Sequence, residues 1–164
     1  MKILFKYSLL FLALLTIFNC KENEPKKSED KVVVNFKKEG VLTIIKADSD
    51  SIIKTIDIEI AESEYEIQTG LMYRTKLDTH HGMLFIFPNA DFRSFYMKNT
   101  KIPLDIIYID DAKIIVSVQK NAKPFDETSL PSEAPAKYVL EVYGGLFDEW
   151  QIKVGDRIDF EVVN

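Results

Sequence analysis

Apolar residues recur at every second position along much of this chain. In 51–60, SIIKTIDIEI, Ile56, Ile58 and Ile60 alternate with Asp57 and Glu59, the period of a strand with one face buried. Shorter β-branched or apolar runs at 32–36, 41–45, 83–87, 94–97, 104–109, 113–119, 138–143 and 157–162 predict further strands. The period changes after Ala61. Tyr65, Gln68, Leu71 and Met72 fall at helical spacing, with Glu62 and Glu64 near the end where a helix dipole favours acids, which predicts a helix over 62–73. Gly70 inside it costs roughly 1 kcal/mol relative to Ala, a cost that makes sense where something packs close. Asp110-Asp111 reads as a hairpin turn and 144–151 as a short helical turn. Residues 120–137 carry Pro124, Pro131 and Pro135 without any period, and read as a long loop. Many short strands with turns between them predict a mainly β chain, a compact β-sandwich or barrel-like domain with one packed α-helix.

The first twenty residues follow a different rule. MKILFKYSLLFLALLTIFNC has Lys2 and Lys6, then an apolar run over 7–18, shorter than the roughly twenty residues of a membrane span. A positive start and a short apolar run describe a secretory signal. The chain's one cysteine, Cys20, stands where that run stops. This resembles a bacterial lipoprotein signal, although Asn19 occupies a place where a small residue is usual. The resemblance implies that 1–19 is removed and that Cys20 carries acyl chains, palmitate among them. The charged segment KENEPKKSEDK then reads as a flexible tether, so that 20–31 links a lipid anchor to a single domain over 32–164. The expectation is an exported protein of the bacterial cell envelope, held at a membrane through Cys20 and facing the periplasm or the cell surface.

Composition narrows the partners. The chain of 164 residues is 46% hydrophobic and 29% charged, which suits a globular domain, and its formal net charge of -5 argues against nucleic acid as a partner. One cysteine allows no intrachain disulfide. His80 and His81 are adjacent, with no second thiol or suitably spaced ligand, so neither a metal site nor a cofactor is expected. Met72, Met83 and Met97 lie in apolar contexts and read as core.

Five segments carry a further signal: GLMYR at 70–74, GMLFIF at 82–87, SFYMKNTKIPLD at 94–105, PAKYVLEVYGG at 135–145 and GDRI at 155–158. Their order and spacing resemble the "domain of unknown function 192" family over roughly 57–162, with Tyr96 where members commonly carry Trp. The resemblance implies a compact β-sandwich-like domain with a helix on one side. It implies no established activity.

Two carboxylates stand inside apolar strands. Asp105 shares a face with Ile107 and Ile109, and Glu141 shares one with Val139 and Tyr143. A buried carboxylate needs a partner or water. Arg74, Lys98 and Lys101 are the candidates, with Arg favoured for its paired donors. Two accounts follow. In one, the carboxylates form structural ion pairs. In the other, Arg74, Tyr96, Lys98, Asn99, Asp105 and Glu141 rim a ligand pocket with Phe95 as an apolar wall. The second account predicts a non-enzymatic accessory domain that binds a small ligand, a glycan or an envelope protein. The alternatives are a hydrolase-type enzyme with Asp105 and Glu141 as its catalytic pair, or a structural assembly partner. No nucleophile elbow and no phosphate-cradling glycine loop is present.

Overall fold

The protein is described here by a computed structural model, over residues 34–163. The signal segment, Cys20 and the tether lie outside the described residues. So do Val32 and Val33 of the expected first strand, and the remainder of that run, 34–36, forms no strand.

The strands are β1 (Gly40–Ile45), β2 (Ile52–Ala61), β3 (His81–Asp91), β4 (Ser94–Phe95), β5 (Leu104–Ile109), β6 (Ile115–Ala122), β7 (Leu130–Pro131), β8 (Ala136–Tyr143) and β9 (Arg157–Val162). Helix α1 (Glu64–Thr69) follows β2, and α2 (Leu146–Glu149) follows β8. Seven strands form one sheet in the order β6-β5-β8-β3-β2-β1-β9, and β4 pairs with β7 separately. Only β2 and β3 run parallel, with α1 in the crossover between them; the other neighbours are antiparallel. The two outer strands of the sheet meet. Ile114 bridges Arg157, Ile115 N–H donates to Asp156 O at 2.8 Å, and Ile158 N–H donates to Lys113 O at 2.9 Å. The sheet thus curls into a barrel-like closure, which removes exposed strand edges.

The GDRI segment builds this seam. Buried Asp156 accepts from Ala47 N–H at 3.0 Å and Lys153 N–H at 2.7 Å, tying two turns together. Arg157 reaches Asp50 at 2.6 Å, and Ile158 enters the core.

Over β3, β5 and β8 both sheet faces are covered. Leu42, Ile44, Ile58, Leu84, Ile107, Leu140 and Val142 come from five strands and fill the interior. On the outer face, Ala61, Leu71, Phe85, Met97, Ile106, Tyr108 and Val139 form a second cluster under the segments around α1 and β4. Strand β5 is therefore buried at all of its positions. That explains a run of apolar residues without alternation in 106–109.

Helix α1 is shorter than its periodicity predicts. Ser63 caps it: the Ser63 hydroxyl accepts from Glu66 N–H, and the Glu66 carboxylate accepts from Ser63 N–H at 3.0 Å. This capping box is legible in the sequence as Ser63-x-x-Glu66. The helix stops at Gly70, whose φ of 47° lies in the left-handed region. A Cβ at Gly70 would sit 2.9 Å from Phe85 Cζ. The close contact that the glycine foretells is therefore with β3, and it ends the helix. The expected loop over 120–137 also holds more order than its prolines suggest, because it contains the end of β6 and all of β7.

Candidate functional site

The outer cluster opens into a cleft of about 360 Å³ between the α1 end, β3, the β4 segment and β8. Its walls are aromatic. Phe85 and Phe87 come from β3, and Phe92, Phe95 and Tyr96 come from the segment around β4. Phe95 meets Phe85 edge-on, with ring centroids 5.1 Å apart, and packs against Tyr108 on its other side at 6.1 Å. Tyr108 O–H donates to Leu130 O at 2.5 Å, which ties β5 to the β4–β7 ribbon. Ile67, Leu71 and Met72 add apolar surface from the α1 side, while Gln68, Ser94 and Thr100 add neutral polar groups.

Among the described residues Arg93 is the one cation in the lining, and its guanidinium is already engaged. It lies 4.0 Å from the Phe87 ring centroid, donates through Nε to Ala136 O at 3.1 Å, and donates through Nη2 to Asn89 O. It clamps β3 to the start of β8.

Glu141 is the one carboxylate in the lining among the described residues. It occupies a cross-strand row that runs Glu59, Met83, Glu141, Ile106 over β2, β3, β8 and β5. It is 5% exposed and makes no hydrogen bond or ion pair among the described residues. Burial pushes its carboxyl up from 4.5 to about 8, so it is mostly protonated at neutral pH. Burial and the nearby Glu141 both push the Tyr108 phenol upward.

The other residues expected at a pocket are distributed differently. Asp105 is fully buried, and its partners are backbone groups, not cations. Oδ1 accepts from Asn121 N–H at 2.7 Å, and Oδ2 accepts from Gly145 N–H at 2.9 Å and Phe147 N–H at 2.8 Å. It pins the end of β6 and the start of α2 to β5. Asp105 pairs with Val142, which faces the interior, whereas Glu141 faces the outer cluster. The two carboxylates thus lie on opposite faces of the sheet. The carboxylate-pair hydrolase is corrected on that ground, since no single substrate could lie between them.

Arg74 is also withdrawn from the pocket. It is buried against Glu59, with Nη2 2.7 Å from Oε2, a charge contact off the line of a hydrogen bond; its Nε has no partner among the described residues. Glu59 in turn accepts from Lys37 N–H at 2.9 Å. Lys98 is exposed, 3.8 Å from Glu127. Exposed Lys101 pairs with neither embedded carboxylate. Asn99 sits behind the wall, its Nδ2 3.7 Å from Met72 Sδ and its carbonyl accepting from Tyr73 N–H. Of the six rim residues, Tyr96 and Glu141 line the cleft. Sequence reasoning missed Phe85, Phe87, Phe92 and Arg93. The alternation of Phe85 and Phe87 in GMLFIF was a usable signal, whereas Phe92-Arg93 sits in a turn without a period.

Comparison with known proteins places this architecture. The family model DUF192, described as "Uncharacterized ACR", matches residues 43–160. The chain belongs to the DUF192 family. A UPF0127 protein of Pyrococcus abyssi is 31% identical over 108 residues, covering 63% of this chain and 85% of the relative. A UPF0127 protein of Thermococcus sibiricus is 29% identical over 110 residues, and the match spans 64% of this chain and 66% of that one. Among solved structures, a protein of unknown function from Novosphingobium aromaticivorans has a TM-score of 0.68 at 36% identity, covering 73% of this chain and 83% of its own. A proposed transcription regulator from Sinorhizobium meliloti has a TM-score of 0.71 at 33% identity, covering 77% and 96%. Four of the five DUF192-like segments contribute to the cleft: Gly70 to Met72, Phe85 with Phe87, Ser94 to Tyr96 with Thr100, and Glu141. The fifth, GDRI, forms the barrel seam.

Proposed function

We propose that this DUF192 protein is a binding domain for a small organic ligand, held in the aromatic cleft above Glu141 and tethered to a bacterial envelope membrane through Cys20. One observation carries the binding reading: a buried carboxyl without a partner among the described residues lies in the lining of an aromatic cleft. Burying such a group costs free energy that folding alone does not recover, and ligand sites are where that cost is usually met. The proposal is non-enzymatic because the second carboxylate is bound up with backbone N–H groups on the far face. The regulatory description of the Sinorhizobium protein finds little support here. The chain is acidic, and the longer helix among the described residues has six residues, too short to read a major groove. Membrane tethering is supported by Lys2, Lys6, the apolar run and Cys20.

A thermal-shift screen of small organic compounds tests the site. Compounds that bind should raise the melting temperature by mass action, and Glu141→Gln or Tyr96→Ala should weaken the shift tenfold or more in concentration. Shifts indifferent to both substitutions would place binding elsewhere. The tether is checked separately by fractionating cells that express Cys20→Ala. Release from the membrane fraction is expected, and retention with unchanged mass would overturn the anchor.

A further inference from the structure

The chemistry of the cleft narrows its ligand beyond "small and organic". Among the described residues its lining offers one carboxyl, Glu141, and the rings of Phe85, Phe95 and Tyr96, with no free cation because Arg93 is spent on Phe87 and two carbonyls. A neutral ligand would satisfy hydrogen bonds of Glu141 but leave the carboxylate form uncompensated. An ammonium ion compensates that form directly, and its positive charge is attracted to the negative faces of aromatic rings. Phe87 already shows that attraction within the same cleft, with the Arg93 guanidinium 4.0 Å from its centroid. Tyr96 is 49% exposed and Phe92 67% exposed, so the mouth presents aromatic surface to an arriving ligand.

We propose that the ligand class is a small aryl- or alkylammonium ion, its N–H groups at the Glu141 carboxylate and its apolar part against Phe85, Phe95 and Tyr96. This rests on the cleft being a binding site. Binding carries a proton step. The Glu141 carboxyl, protonated in the free protein near neutral pH, loses its proton to solvent as the ammonium arrives, and the O–H bond is replaced by an N–H···O⁻ contact. The other ionisable groups facing Glu141 are Tyr108 on β5, Arg93 and Tyr96 in the lining, and Glu59 in the same cross-strand row, which is neutralised by Arg74. None of these supplies a second free anion.

The test compares benzylammonium with benzyl alcohol, its neutral counterpart of similar shape, by calorimetry and by NMR shifts of the full chain at pH 6, 7 and 8. Benzylammonium should bind more tightly as pH rises, by up to tenfold per unit below about pH 8, with release of up to one proton seen as a buffer-dependent heat. Glu141→Gln should abolish both the pH slope and the proton release. Tyr96→Ala should weaken binding and keep the slope. Equal binding of benzyl alcohol, or a benzylammonium affinity flat with pH and untouched by Glu141→Gln, overturns the ammonium class. Failure of benzylammonium while other compounds shift cleft residues overturns that class and leaves the cleft as a site. If no compound of any kind shifts cleft residues, the binding reading itself fails.

Discussion

Asp105 and Glu141 read alike in the sequence, each a carboxylate in an apolar strand, yet the fold gives them opposite energetic roles. Asp105 satisfies three backbone N–H groups. Asp105→Asn keeps its shape but removes the charge, and its amide nitrogen faces donors where an acceptor is needed. The cost should be roughly 2–4 kcal/mol. Glu141 is the reverse case. Its folded pKa of about 8 lies above the ordinary 4.5, so the folded chain holds the proton more tightly than the unfolded chain does. The stability it contributes is complete below about pH 4.5 and is lost as pH rises through about 8. Glu141→Gln has no proton to lose. Its advantage over the parent should therefore grow from pH 5 to pH 8, by something on the order of 2–4 kcal/mol. Chemical denaturation of both variants at pH 5 and pH 8 checks the pair. An advantage for Glu141→Gln that does not change with pH would show that the carboxyl is solvated or paired in solution.

At the scale of elements, the end of α1 and strand β3 are set by one contact. Gly70 takes a left-handed conformation and lies against the Phe85 ring, a wall of the cleft. Gly70→Ala combines an unfavourable φ with a Cβ at 2.9 Å from Phe85 Cζ. It should cost about 1–3 kcal/mol and displace the Phe85 ring. The measurement is a melt together with the NMR shifts of Phe85 and Phe95, and unchanged shifts would mean that Gly70 only terminates the helix. The helix itself buries none of its residues. Its six residues hold together through the Ser63–Glu66 box and the turn that follows, in which Leu71 is buried.

For the whole molecule, both apolar clusters and the seam between β6 and β9 lie within the described residues. A chain beginning at Val32 should therefore unfold cooperatively, with coincident transitions by near- and far-UV circular dichroism. A molten product, with helical and strand signal but no near-UV band, would show that residues before Val32 contribute to packing. Closure of the sheet also gives GDRI its purpose. A tetrapeptide with little meaning in isolation supplies the buried Asp156 and the Arg157 bridge that join the two ends of the sheet.

The strands were legible because period-two alternation in 51–60 and the apolar runs in 83–87, 104–109 and 138–143 report burial that local chemistry demands. Family resemblance was legible for the same reason, since its segments are the ones that meet close packing constraints around Gly70, Phe85 and Gly144. The partners of the buried charges were not. Arg74 could have met Asp105, Glu141 or Glu59, and only strand order places Glu59 beside it. The separation of Asp105 from Glu141 follows from pairing register: Asp105 stands opposite Val142, not Glu141, so their side chains leave the sheet on opposite sides. A one-residue slip would have put both on one face. Periodicity says that a residue faces a sheet surface, but which neighbours share that surface depends on contacts between residues far apart in the chain. That is why the sequence could mark Glu141 as out of place, and only the tertiary structure could leave it alone in an aromatic cleft.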